Sequence, residues 1–490
     1  MRTPEFSNLD KNRGIAILYL RKKKAIMTKI SKIIPLFPEE DLLDVRGKAF
    51  QRTELGQLHA TIPWEELADL LPGPKSSNGR GAKPWFDNAG KFACMFLKHY
   101  TGLSDEKLIH RINTDWAMQE FCGIRLGINE QIKDLDIIGR IRGQLSVHLG
   151  KLPEAQKVLA QEWFKYVEQE SLQQVSGDAS CYESHLRYPT DVKLLWECAE
   201  WLYEKQLFRI CSELRVNRPR NKFTEQSRKQ LAYSKQKRKK PSVTKVRLRA
   251  LLYLVTKGKH QLNELLKKPE AMEHFSIKDL SIYLTVAKVL EQQQYMFDNN
   301  VRSVENRIVS IFKPYIRPIV RGKENKSVEF GMKVHKIQIA GISFVEHVSF
   351  DAFNESTRVE STLAFHGELT NVKCMRAAFD QLYATNANRK LLTKEQILTN
   401  FSRKGKASTK QSEADRKEEY KIKQQLGKER ATVLEGSFGN EKNHYGLRKI
   451  KARSAETEHI WMFFGIMTAN AVKVMRLKVG KEKEQLKQTG

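Results

Sequence analysis

The sequence predicts an α/β protein in which an all-helical N-terminal domain precedes a mixed β-sheet. From 62 to 150, apolar residues recur at the three- and four-residue spacing of helices. Between 328 and 350 the apolar period falls to two, which predicts an antiparallel hairpin that turns at Ala340 and Gly341. Helical periodicity also fills 194–319, so we expect helices to interrupt the sheet.

Polar residues mark where the helices of the N-terminal domain begin. Ser104 is predicted to cap a helix over 105–112, and Thr114 to cap one over 115–121. With a further helix over 89–100, these short elements fit a helix-turn-helix DNA reader. They fit any other small helical domain equally well, and the pattern leaves both interpretations open.

Two predicted strands lead to acidic side chains. LQQVSGDAS (172–180) predicts a short strand that ends in the carboxylate of Asp178. VKCMRAAF (372–379) predicts a strand that ends at Asp380, although two cations interrupt its apolar side. About thirty residues separate the hairpin from Asp380.

We expect the chain to be organised into successive segments. They are a flexible basic arm over 1–60, a helical DNA-binding domain over 61–150, a catalytic α/β domain over 151–475 with a helical insertion over about 198–320, and a lysine-rich tail over 476–490.

The charge favours a polyanionic partner. The chain has 86 Lys and Arg against 57 Asp and Glu, a net charge of +29. Fourteen cations and one acid, Glu225, lie between 215 and 249, a segment that we call the basic block. A solvated surface would mix the two signs, so we expect the block to contact phosphates. Phe223 and Tyr233 lie among the cations and are weak signals for base stacking.

Several classes of protein are excluded by what the sequence lacks. No apolar run reaches the roughly 18 residues of a membrane span, and the longest, over 460–472, contains Thr468 and Asn470. No GxxxxGK[ST] motif is present, which excludes an ATP-driven helicase. The six cysteines have neither CxxC nor zinc spacing, so we interpret them as buried thiols in a reducing compartment.

Cutting or joining a phosphodiester requires stabilisation of charge on both the attacking and the leaving oxygen. Two divalent cations about 3.5–4 Å apart provide it, and Mg²⁺ or Mn²⁺ prefers carboxylate oxygens. Asp178 and Asp380 at strand ends, with Glu435 on a predicted helix, are the candidate ligands. Glu435 and Lys442 lie seven residues apart and share a helix face. Two competing acids, Asp191 and Asp351, are better explained as a helix cap and a turn residue.

Five stretches occur in a characteristic order: HYTGLSDEKLIHRINTDWAMQEFCGI (99–124), GDASCYESHLRYPTDVKLLWE (177–197), PYIRPIVRGKENKSVEFGMKVHK (314–336), DQLYATNANR (380–389) and LEGSFGNEKNHYGLRKIKAR (434–453). In this order they resemble the DDE-type transposases of bacterial insertion sequences, within an insertion-sequence-four/five-like superfamily. The resemblance implies a ribonuclease-H-like mixed sheet that is interrupted by the basic helical insertion.

The resemblance also implies a catalytic triad and its chemistry. Asp178, Asp380 and Glu435 match the triad that binds two Mg²⁺ or Mn²⁺ ions. Such enzymes activate water to nick the ends of their element and then activate the freed 3′-hydroxyl to attack target DNA. No nucleotide cofactor is expected, because the exchange conserves phosphodiester energy.

Further side chains are expected to contact DNA. Lys442 matches a lysine that contacts the terminal phosphate. Arg430, Asn386 and Arg389 lie near the triad residues in the sequence. The remaining candidates are basic-block cations, namely Arg218, Arg220, Lys222, Lys237, Arg238, Lys239 and Lys240. We expect double-stranded DNA as partner, at least a homodimer on it, no membrane, and a cytoplasmic, nucleoid-associated location.

Two other functions stay open. A decayed or repurposed transposase would bind DNA through the same basic surfaces without cutting it. A nuclease with a ribonuclease-H-like core would cut without joining. Metal-dependent cutting that disappears in Asp178→Ala separates the first from an active transposase, and strand transfer onto a plasmid separates the second.

Overall fold

The computed structural model describes residues 39–73, 84–127, 129–320, 328–405 and 412–489. Residues 1–57 form one compact unit and Leu58–Gly490 a second. Most of the predicted arm lies outside the described residues, but its last part is helical, with α1 over Glu39–Gln51 and α2 beginning at Glu54 and ending at His59. The described part of 1–60 is therefore mostly helical, whereas the sequence indicated an irregular segment.

The N-terminal helices of the second unit are α3 (Trp64–Asp69), α4 (Asn88–Thr101), α5 (Asp105–Thr114), α6 (Trp116–Phe121), α7 (Ile137–Ser146) and α8 (Leu152–Trp163). Ser104 caps α5 as predicted, because its hydroxyl accepts the amide of Lys107 at 3.2 Å. Asp115, and not Thr114, caps α6 and accepts the amides of Ala117 and Met118. The Thr114 hydroxyl instead donates to carbonyls of its own helix, which leaves the neighbouring carboxylate as the capping group.

One mixed sheet forms the centre of the second unit. Its strands are β1 (Gln174–Glu183), β2 (Pro318–Val320), β3 (Val328–Ile339), β4 (Ile342–Ser349), β5 (Arg376–Ala378) and β6 (Leu398–Thr399). Strand β3 pairs antiparallel with β1, β2 and β4, whereas β1, β5 and β6 run parallel to one another. The predicted hairpin is confirmed: Ala340 and Gly341 both have positive φ, as a tight turn between right-twisted strands requires.

Strand β1 is longer than predicted. Asp178 lies in its interior and not at its end, because the pairing with β3 continues from Ser176 to Glu183. Pairing with β5, however, stops at Ser176 opposite Ala378. Asp178 is therefore the second residue beyond the point where β1 loses its parallel neighbour.

A helical region follows β1 and has its own apolar core. It contains α9 (Asp191–Glu200), a π-helical turn (Trp201–Leu207), α10 (Phe208–Glu213), α11 (Phe223–Lys235), α12 (Pro241–Leu266), α13 (Pro269–Glu273) and α14 (Ile277–Asp298). Buried apolar side chains from Val192 to Ile311 form one cluster.

The segment between the hairpin and Asp380 accommodates both a helix and a strand. Helix α15 covers Val359–Thr370 and β5 takes three residues, of which Ala377 and Ala378 are fully buried. Arg376 interrupts nothing, because it is the exposed first residue of β5. The segment is thus long enough to place Asp380 beside the sheet.

The C-terminal part contains α16 (Asn386–Lys394), α17 (Glu413–Glu429), a π-helical turn (Arg430–Leu434), α18 (Glu435–His444) and α19 (Ala455–Thr489). The predicted continuous helical region over 430–475 is wrong, since an extended segment separates α18 from α19. Among the described residues, Ala455–Lys487 is one helix long and apolar enough to cross a membrane, but 78% of its apolar window is buried in the protein. Trp461, Phe463 and Phe464 belong to that buried part, as predicted.

Candidate active site

Asp178 and Asp380 lie side by side at the sheet. The parallel register pairs Ser176 of β1 with Ala378 of β5, and each acid comes two residues later on its chain. Both acids lie just beyond this paired stretch, and Asp380 is close enough to act electrostatically on the Asp178 carboxylate. The Asp380 carboxylate also accepts the amide of Gln381 at 2.6 Å, which caps the short helical turn that follows. The structure therefore brings together the first two predicted ligands.

Arg430 connects the third acid to the first. Its guanidinium donates to Asp178 Oδ2 at 3.0 Å and to Glu435 Oε1 at 2.9 Å. Arg430 and Glu435 are five residues apart, and the π-helical turn between them brings residues at this spacing onto one side. The guanidinium is thus an internal partner of two predicted triad residues, whereas the sequence suggested only a phosphate contact.

Lys442 of α18 contacts β1 two residues beyond Asp178. Residues 178, 180 and 182 alternate on β1 and share one face. Lys442 Nζ donates to Ser180 Oγ at 2.9 Å and lies 5.4 Å from the centre of the Tyr182 ring. The predicted phosphate-binding lysine therefore lies on the same face of β1 as Asp178.

Burial and neighbouring carboxylates raise the pKa of Asp178 above its ordinary value. Burial has the largest effect, and Glu355 and Asp380 raise the pKa further, whereas the Ala179 amide and Arg430 lower it. A carboxylate in this environment gains more from a nearby cation than one in water.

Two charged residues next to the site were missed at the level of sequence. Glu355 interacts electrostatically with Asp178 and begins a short 3-10 helix after the hairpin, a segment that gave no signal in the sequence. Lys336 of β3 lies opposite Asp178 of β1 in the antiparallel register, and its side chain is completely buried. Its Nζ donates to Glu441 Oε1 at 2.5 Å. A lysine at an inward position of a strong strand pattern was the available signal for this pair.

Two other candidate DNA contacts already have partners in the protein. Arg389 Nε donates to the carbonyl of Ala384 at 3.1 Å, and its guanidinium lies 5.4 Å from the Phe401 ring centre. Asn386 Oδ1 accepts Lys404 Nζ at 2.9 Å. Asn386 is nevertheless exposed at the start of α16, a few residues after Asp380.

The basic block lies on the helical region. Its predicted contacts Arg218, Arg220, Lys222, Lys237, Arg238, Lys239 and Lys240 are all exposed. The two aromatic residues are not available for base stacking, because Phe223 and Tyr233 are buried, and Phe223 stacks on Trp196 with ring centres 5.3 Å apart. They were misread because core aromatics of an amphipathic helix also recur among cations.

The three predicted ligands do not form a closed metal cage. Among the described residues, no group of three or more His, Cys, Asp or Glu is arranged to hold a metal ion. The guanidinium of Arg430 lies between two of the acids and supplies positive charge there. Carboxylate oxygens that already share one cation are chemically suited to a hard divalent ion, provided that Arg430 moves away.

Residues 44–144 match the family model described as Transposase domain (DUF772). This match supports a transposase family. It covers most of α1, helices α2 to α6 and nearly all of α7, and it ends before the sheet begins. Neither the curated proteins nor the solved structures contain a match to this chain.

Proposed function

We propose that the chain is a DDE-type transposase that binds the ends of its element and cuts and rejoins DNA with Asp178, Asp380 and Glu435. The observation that carries the proposal is that Asp178 lies beside Asp380 and is joined through Arg430 to Glu435, although the three acids are 202 and 55 residues apart in sequence. Asp178 and Asp380 each follow the last paired residue of a parallel strand pair by two positions, and Arg430 joins Asp178 to Glu435.

The mixed sheet supports a ribonuclease-H-like core. Its antiparallel hairpin, its parallel strands beside β1 and the helical region between β1 and β3 correspond to what the resemblance implies. The transposase-domain match covers a different part of the chain, so the two observations support the proposal independently.

The proposed roles follow from the positions of the side chains. Asp178, Asp380 and Glu435 would hold divalent cations, which stabilise charge on the attacking and leaving oxygens when bound. Lys442, on the face of β1 that carries Asp178, would contact a phosphate of the bound strand. Arg430 has to release the two carboxylates and is then available to a phosphate oxygen.

The test is cleavage of a supercoiled plasmid that carries the flanking ends of the native gene, with Mg²⁺ or Mn²⁺. We expect the wild type to cut at the ends and to join them to a second plasmid. Asp178→Asn and Glu435→Gln should lose at least about 10²–10³-fold in rate, the scale for removing one group that stabilises transition-state charge. Glu225→Gln, an exposed acid on α11, is the matched control and should cut normally.

Each failure has its own meaning. If the wild type binds the plasmid but does not cut it, the proposed enzymatic activity is contradicted. That outcome would favour a DNA-binding protein that has lost catalysis. Cutting without transfer to the second plasmid would indicate a nuclease. Equal cutting by wild type and Asp178→Asn would remove the triad from the mechanism.

A further inference from the structure

A large cleft on the second unit is a second strongly basic surface, apart from the basic block. Its volume is about 1260 Å³ and it is lined by nine cations and two acids, namely Lys98, Arg140, Arg142, Lys278, Lys313, Arg448, Lys449, Lys451 and Arg453 with Asp105 and Asp136. The cleft lies between the N-terminal helices, helix α14 and the extended segment that separates α18 from α19.

Residues 446–453 of that extended segment, which we call the basic strip, alternate in burial. Leu447, Ile450 and Ala452 are buried, whereas Arg448, Lys449, Lys451 and Arg453 are exposed. Every second or third residue therefore anchors the backbone, and the charges between the anchors face solvent. This pattern presents a row of cations without burying any of them.

Hydrogen bonds fix the backbone of the strip at several points. The Trp461 indole donates to the Gly446 carbonyl at 3.0 Å, and the Lys313 ammonium donates to the Ala452 carbonyl at 2.7 Å. The Ile450 amide donates to the carbonyl of Glu183 at 2.8 Å, and the His185 amide donates to the Ile450 carbonyl at 2.7 Å. The strip is consequently a continuation of the sheet at the end of β1.

The cations of the cleft fall into two groups. Lys98 and Arg142 share the carboxylate of Asp105, with nearest distances of 2.8 and 3.0 Å. Lys449 is paired with Glu183. Within the part of the chain that the structure describes, Arg448, Lys451 and Arg453 form no ion pair. Three unneutralised charges on a fixed backbone are suited to a ligand with regularly spaced negative charges.

The strip lies at a defined distance from the candidate active site. Ser184 follows the last residue of β1, six residues after Asp178, and forms an isolated parallel bridge to Ile450. At about 3.3 Å per residue this places the strip roughly 20 Å from the acid. Duplex DNA has about 3.4 Å per base pair, so the distance corresponds to roughly six base pairs.

We propose that the cleft binds the phosphate backbone of duplex DNA about six base pairs from the phosphodiester that is cut at Asp178, with Arg448, Lys451 and Arg453 as the phosphate contacts. The inference rests on the proposed function for the identity of the polyanion. It goes beyond that proposal because it assigns a second surface, distinct from the basic block, and a register between that surface and the acids.

The first experiment compares two triple variants that remove equal charge. Arg448→Gln with Lys451→Gln and Arg453→Gln neutralises the strip, and Lys481→Gln with Lys483→Gln and Lys487→Gln neutralises three lysines near the end of α19. Affinity for a 40-base-pair duplex is measured against salt concentration. Each phosphate contact contributes about 0.9 to the slope, so the strip variant should lose about 2–3 units of slope and the α19 variant almost none.

A second experiment tests the register. All six native cysteines are buried, so a cysteine introduced at an exposed position is the one that reacts with an iron chelate. The Lys451→Cys conjugate should cut bound duplex about six base pairs from the site that the protein itself cuts. The Lys237→Cys conjugate, on the basic block, should cut elsewhere.

An unchanged salt slope in the strip variant, with circular dichroism showing it folded, would overturn the proposal. The proposal would also be overturned if the strip variant lost binding to duplex RNA but not to duplex DNA. A Lys451→Cys conjugate that binds DNA without cutting near the protein's own site would overturn it as well. Failure of the proposed function gives a different result. The wild type would then bind DNA with the expected dependence on salt but would show no metal-dependent cutting.

Discussion

The sheet and the helical region bury polar side chains in opposite ways. At the sheet, the buried Lys336 of β3 forms an ion pair at 2.5 Å with the buried Glu441 of α18. In the helical region the buried polar residues are mostly glutamines, such as Gln226 and Gln230, which hold the buried guanidinium of Arg247. One region thus neutralises interior charge with charge, and the other with neutral amides.

The difference explains where each region can interact with a polyanion. A buried charge is tolerated only when it is paired, so the cations inside the sheet are committed to carboxylates. The helical region has an apolar core and keeps almost all its cations on the surface, where they are exposed. Charge inside the sheet is therefore held by internal partners, whereas the cations of the helical region lie on its surface, where the proposed function would have them contact phosphates.

The largest expected contrast is between two aspartates. Asp380→Asn, in the sheet, should reduce metal-dependent cutting by at least about 10²–10³-fold while leaving the melting temperature unchanged or slightly raised. Asp191→Asn, in the helical region, should retain cutting but lower the melting temperature, because Asp191 accepts Arg307 at 2.6 Å and Gln293 at 2.9 Å. Plasmid cutting and thermal melting of both variants provide the check. Loss of cutting in Asp191→Asn alone would reverse the assignment.

Removing the buried cation should cost the sheet more than the helical region. Lys336→Met leaves the Glu441 carboxylate buried and unpaired, which costs about 3–5 kcal/mol of unfolding free energy. Arg247→Met leaves neutral amides unpaired and should cost about 1–3 kcal/mol. Urea denaturation measures both. The double change Lys336→Met with Glu441→Leu should be less damaging than Lys336→Met alone, and a more damaging double variant would contradict this account.

Alanine substitutions at two glycines test how tightly the helical region is packed at Gly258 and how open the space is at Gly427. A Cβ at Gly258 of α12 would lie 2.8 Å from the Tyr203 ring, so Gly258→Ala should destabilise the helical region by about 1–3 kcal/mol. A Cβ at Gly427 of α17 meets no atom within 4 Å, so Gly427→Ala should stabilise by about 0.5–1 kcal/mol through its helix preference. Thermal melting of the two variants should shift in opposite directions; shifts of the same sign would argue against the close packing at Gly258.

The smallest effect concerns acid stability. Burial raises the pKa of Glu346, but the hydrogen bonds and charges of His335 and Arg358 together lower it by more. The pKa of Glu346 therefore lies below its ordinary value. The unfolded carboxyl therefore takes up its proton first, and this stabilisation is lost as pH falls below about 4.3. Glu346→Gln should be less stable at neutral pH and show a flatter decline in acid. Glu225→Gln, whose exposed carboxylate pairs with Lys229, should unfold in acid like the wild type, and the two acid midpoints test the difference.

Local patterns predicted local structure well. The alternation over 328–350 and the Ala340-Gly341 turn gave the hairpin, since both signals lie within a few residues. Asp178 was correctly placed beside the sheet but at the wrong position on its strand. Asp178 lies just beyond the point where β1 stops pairing with β5, and that point depends on residues two hundred positions away in the sequence.

Contacts between distant segments were not predictable in the same way. The position of Arg430 between two acids depends on a π-helical turn, and no simple spacing rule marks such a turn. The basic strip was present in the quoted motif around Glu435, but its function as a row of exposed cations became visible only from the burial of Leu447, Ile450 and Ala452. A one-dimensional pattern does not state which side of an extended segment faces the protein.

The bridge from Arg430 to Asp178 joins residues that are 252 positions apart. During synthesis at about 5–20 residues per second, the ribosome adds that many residues in roughly 13–50 s. Throughout this interval the nascent chain already contains Asp178 but has neither the guanidinium nor Glu435. The acids therefore meet only after most of the polypeptide has emerged, which delays assembly of the candidate site until late in translation.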